Sequence, residues 1–83
     1  MMRSAKIIAR YLAQTGWSQS ELARRANVNP SSICRAVQGH PVGRLVAAQI
    51  EQATRDAYVR GEVDVEPLAR ERLSPAFRGR RAA

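Results

Sequence analysis

Gln19-Ser20-Glu21-Leu22-Ala23-Arg24-Arg25-Ala26-Asn27-Val28-Asn29-Pro30-Ser31-Ser32-Ile33-Cys34-Arg35-Ala36-Val37-Gln38 is the stretch whose reading decides the fold. Just before and within it, Ser18-Gln19-Ser20-Glu21 matches the S/T-x-x-E capping box that opens a helix, with Trp17 placed to staple back onto Leu22. Leu22, Ala23 and Ala26 recur at helical spacing as the inward stripe of a helix over 19–26, and Arg24 and Arg25 are expected to face away. Asn27 tolerates the left-handed backbone that a helix stop demands. After the apolar Val28, Asn29 is an N-cap and Pro30 occupies the first helical position that proline favours. A further helix over 30–37, with Ile33, Ala36 and Val37 inward, ends before Gly39. Two short helices joined by so few residues must cross steeply, and Ala23 is small enough to allow it. The stretch therefore predicts a helix-turn-helix.

The flanks extend the same pattern. Ile7, Ile8, Tyr11 and Leu12 predict a first helix over 6–14, capped by Ser4 and stopped by Gly16. Leu45, Val46, Gln49, Ile50 and Ala53 predict a fourth from about residue 43 to 54 or beyond, with Gly61 its latest stop. Residues 62–65 alternate as a strand would, over too short a run to form one. Asp64 is placed to cap a fifth helix containing Pro67, Leu68, Ala69, Arg72 and Leu73, and Ser74-Pro75 closes it. The expectation is one all-α domain of about five helices over 1–73, followed by a flexible basic tail over 74–83.

Fourteen Lys and Arg stand against seven Asp and Glu, a net charge of +7. The excess is uneven. Up to residue 44 seven bases (Arg3, Lys6, Arg10, Arg24, Arg25, Arg35 and Arg44) meet the single acid Glu21, and beyond it acids and bases nearly balance. The first half is where a polyanion would dock. The lone cysteine, Cys34, and the lone histidine, His40, leave no disulfide and no zinc site, so no metal or cofactor is expected. With no third catalytic partner and no glycine-rich phosphate loop, an enzyme is the least favoured class. No apolar run reaches the length of a signal-peptide core or a membrane span, so a cytoplasmic protein is expected.

Gln19, Leu22, Ala23, Val28, Ser31 and Ile33 carry a resemblance to the lambda-repressor-like (Cro/C1, XRE) helix-turn-helix family. It covers residues 6–54, about three-fifths of the chain, and looks nearest to short Cro-like regulators of the YdaS type, in which Ile50-Glu51-Gln52-Ala53-Thr54 has its counterpart. Two positions depart from the pattern: Asn27, where glycine is usual, and Pro30, where a base-reading glutamine is common. The resemblance implies a five-helix bundle whose third helix reads double-stranded DNA. The outward positions Arg35, Ser31, Pro30 and Cys34 are then the base readers. Arg35 suits the O6 and N7 edge of guanine, and Ser31 serves as donor or acceptor. Two readings of Cys34 stay open, contact with a thymine methyl or semi-buried packing. Ser18, Gln19, Asn29, Ser32, Gln38, His40 and Arg44 are candidates for the phosphate backbone.

A single module spans half a site, which implies a homodimer on a near-palindromic operator, as in a bacterial or prophage repressor. Tyr58, Val59, Val63, Val65, Leu68 and Leu73, with Phe77 as a further contact, are expected to form a dimerisation segment from about residue 55, because they exceed what a four-helix core requires. The alternative is the DNA-binding, self-regulating partner of a toxin, with the same segment gripping the toxin or another regulatory protein.

Overall fold

The core is built from apolar residues of every helix. Ile8 and Tyr11, Leu22, Ala23 and Ala26, Ile33 and Ala36, Ala47, Ile50 and Ala53, and Leu68 and Leu73 are all buried together. The computed structural model describes residues 3–74. Among them are five helices and no strand: α1 (Arg3–Thr15), α2 (Gln19–Ala26), α3 (Pro30–Val37), α4 (Arg44–Val59) and α5 (Arg70–Leu73). The chain is thus an all-α bundle, in which α2 packs on α3 and α4, α1 on α3 and α5, and α4 on α5.

Local chemistry explains the boundaries in the middle of the chain. The Ser18 hydroxyl accepts from the Glu21 N–H at 3.0 Å, and the Thr15 hydroxyl, which donates to the Tyr11 carbonyl, accepts from the Trp17 N–H. Asn27 sits at φ 58° and ψ 45°, in the left-handed region, and the Val28 N–H turns back to the Ala23 carbonyl at 3.0 Å. That is the six-to-one bond of a Schellman stop, and it brings Val28 down onto the core. Gly39, at φ 103°, ends α3 the same way, with the His40 N–H on the Arg35 carbonyl.

The ends of the chain depart from the local pattern. Helix α1 begins at Arg3, so Ser4 is inside it and does not cap it. Helix α4 runs on to Val59 because no breaker intervenes before Gly61. The fifth helix is only four residues long, and Asp64 caps nothing, since residues 62–69 form an irregular strap. Thr54 holds this strap down. Fully buried, its hydroxyl donates to the Ile50 carbonyl at 2.9 Å and accepts from the Leu68 N–H at 3.0 Å. Glu51, also buried, accepts from Arg70 and Arg55. Leu68 and Leu73 consequently lie in the chain's own core, and the expectation that they form a dimer surface is corrected. Val65 packs partly buried against that core, and Val63 is half-buried. Of the expected set, Tyr58 and Val59 remain exposed. The tail from residue 75 onward, Phe77 included, is outside the described residues.

Replacing Thr54 by valine keeps the shape of the side chain but leaves the Leu68 N–H buried without an acceptor. Denaturant unfolding of Thr54→Val should show a loss of about 1–3 kcal/mol, with Thr54→Ser much closer to the parent. A loss in Thr54→Ser with little loss in Thr54→Val would mean that the methyl group matters and the hydrogen bond does not.

Candidate nucleic-acid interface

Burial of Ile33 and Ala36 turns the opposite side of α3 outward. Pro30, Ser31, Arg35 and Gln38 are exposed there, with Ser32 and Cys34 half-buried beside them.

Three groups of candidate side chains come together on the face. At its start the Asn29 side-chain oxygen Oδ1 accepts from the Ser31 N–H at 3.0 Å and from the Ser31 hydroxyl at 2.8 Å. At its far end Gln38 donates its amide N–H to the Cys34 sulfur at 3.5 Å. On its flank Ser32, Arg35 and His40 line a shallow depression together with Pro41, Val42 and Gly43. Pro41 and Gly43 were not singled out as site residues; the only signal for them is that the turn after Gly39 must bring the chain back past α3. Arg44 is exposed at the start of α4, and Ser18 and Gln19 belong to the start of α2. Ser18 uses its hydroxyl oxygen to cap that helix, while the N–H groups of the first turn other than Glu21 and Leu22 have no acceptor in the α2 cap.

The arginines divide into two kinds. Arg24 and Arg25 both pair with Glu21, and Arg25 also pairs with Glu62 at 2.8 Å. The Arg25 guanidinium further lies 4.2 Å from the centre of the Trp17 ring, which itself meets Tyr11 edge-on at 5.5 Å. Arg25 therefore does not face away into solvent; it ties α2 to the strap and is occupied by two carboxylates. Trp17 packs against Tyr11 and Arg25 at the edge of the core. Burial raises the Tyr11 hydroxyl above its ordinary pKa, and that hydroxyl has no hydrogen-bond partner among the described residues. Arg35 is the opposite case. It is exposed and enters none of the ion pairs among the described residues. The positive charge offered on the α3 face is accordingly that of Arg35.

No group of three or more His, Cys, Asp or Glu side chains among the described residues could hold a metal ion. No described helix is long and apolar enough to cross a membrane. Comparison with family models, with curated proteins and with solved structures returns no match.

Hydrogen bonds from Arg25 hold both Glu21 and Glu62 below the ordinary carboxylate range. Groups whose pKa is lowered by folding add stability at neutral pH and lose it as they are protonated. Urea unfolding midpoints should therefore fall as pH drops from about 5. Arg25→Met, which leaves an apolar stem over Trp17, should flatten this dependence. An unchanged slope in the variant would show that the acid sensitivity arises elsewhere.

Proposed function

We propose that this chain is a sequence-specific DNA-binding transcriptional regulator of the lambda-repressor-like kind, which reads the major groove with the outward face of α3. The observation that carries the reading is an exposed Arg35, without an ion pair among the described residues, on the second helix of a tight helix-turn-helix and flanked by short polar side chains. A major groove about 12 Å wide admits such a helix, and a guanidinium matches the paired O6 and N7 acceptors of guanine. Residues around the face supply positioning contacts with phosphate. The Asn29 amide N–H groups, Ser32, Gln38, His40 and Arg44 serve on the α3 side, and the first turn of α2 at Ser18 and Gln19 on the other.

Half-site recognition by one module makes a homodimer on a near-palindromic operator the working arrangement, as in a Cro-type repressor of bacterial or prophage origin. With Leu68 and Leu73 committed to the core, the exposed apolar residues of the expected segment, among the described residues, are Tyr58 and Val59.

Selection from a random duplex pool at several salt concentrations tests the reading. Wild-type binding should weaken steeply with salt, as phosphate contacts require. Arg35→Ala should lose discrimination at one base pair by about 1–3 kcal/mol. Uniform weakening on every sequence would instead make Arg35 a phosphate contact, and salt-insensitive or absent binding would exclude the function.

A further inference from the structure

We infer that Ser31 reads its base only as a hydrogen-bond acceptor, so that the operator presents an amino group, the N6 of adenine or the N4 of cytosine, beside the guanine met by Arg35. The inference deepens the DNA-binding reading and rests on it. It comes from the sense of two hydrogen bonds. A backbone N–H only donates, so the Asn29 atom 3.0 Å from the Ser31 N–H is the carbonyl oxygen and not the amide nitrogen. That same oxygen is 2.8 Å from the Ser31 hydroxyl. Because a carbonyl oxygen cannot donate, the Ser31 hydroxyl gives up its proton to it, and what Ser31 turns outward is its remaining lone-pair capacity. The Asn29 NH2 group, released from capping, is left as a donor and suits a phosphate oxygen.

The second half of the pattern lies one turn further along. Arg35 is exposed on the same side of α3 and has donors only. Four residues of α-helix advance about 6 Å, and stacked base pairs about 3.4 Å, so the two contacts fall one or two base pairs apart. The face thus offers an acceptor and then a donor. In the major groove the amino groups of adenine and cytosine answer the first, and the O6 and N7 of guanine answer the second. A serine free to rotate would accept either kind of edge, whereas this one is held to a single sense by the cap of its own helix.

The test uses the full chain and the duplex that it enriches from a random pool. At the base pair where Ser31→Ala changes the selection, two analogue duplexes are prepared. One has the amino group removed from the adenine or cytosine; the other replaces the purine by its 7-deaza form, which lacks the N7 acceptor. Removal of the amino group should weaken wild-type binding by about fivefold, the size of one hydrogen bond, and leave Ser31→Ala unaffected. The 7-deaza change at that pair should affect neither. Asn29→Asp keeps an acceptor for the serine proton, so it should retain the amino preference while binding all DNA more weakly. Sensitivity of the wild type to the 7-deaza change in place of amino removal would make Ser31 a donor and overturn the inference, as would the absence of any pair sensitive to Ser31→Ala. If the wild type enriches no duplex at all, the DNA-binding reading fails first and this assignment falls with it. Far-ultraviolet circular dichroism of each variant separates loss of contact from loss of fold.

Discussion

Between α2 and α3 the chain must reverse within Asn27, Val28 and Asn29, while Val28 still reaches the core. A single left-handed residue makes this possible. Asn27 takes that conformation at φ 58°, and the Val28 N–H locks it by bonding to the Ala23 carbonyl. Left-handed backbone costs an ordinary residue about 1–2 kcal/mol, and asparagine is among the few side chains that adopt it routinely. Because the stop is fixed, Asn29 arrives in extended geometry as the cap of α3, Pro30 takes the first turn, and Ile33 and Ala36 are directed inward. The outward direction of Pro30, Ser31 and Arg35 follows from the same constraint.

The rest of the molecule holds that unit in place. Helices α1 and α4 supply the walls of the core, the strap at 62–69 is held to it by Thr54, and α5 is tied to α4 by Arg70 on Glu51. Arg25 links the strap to α2 by its pair with Glu62, over the Trp17 ring. Few of these connections involve the α3 face. The buried hydrogen bonds and most of the α2 charge thus serve the fold, and the outward side of α3 is left exposed.

Where the determinants are local, the sequence carries them in full. The bounds of α2 and α3 match the expected 19–26 and 30–37 because caps, left-handed stops and proline act within four residues. The later part of the chain was harder to read because its determinants are distant in sequence. Asp64 and Pro67 look like a helix start, but the Leu68 N–H is taken by Thr54, fourteen residues earlier, and the helix is delayed to Arg70. Leu68 and Leu73 look like surplus apolar residues, yet both are buried in one core with residues of α1 to α4, and α5 packs on α1 and α4. The outward placement expected of Arg25 fails for the same reason, since Glu62 is 37 residues away. At the candidate site the exposed residues were legible from helical periodicity. The sense of the Ser31 hydroxyl was not, because it depends on which face of the Asn29 amide the turn presents.

The central claim is that the outward face of α3 meets double-stranded DNA, and amide chemical-shift mapping of the isotope-labelled chain during titration with a duplex tests it most directly. The account predicts that the largest shifts fall on residues 29–40 and on the first turn of α2, with α5 and the Tyr58–Val59 end of α4 little changed at fixed protein concentration. Shifts centred on α4 or the 62–69 strap, with α3 unmoved, would contradict it.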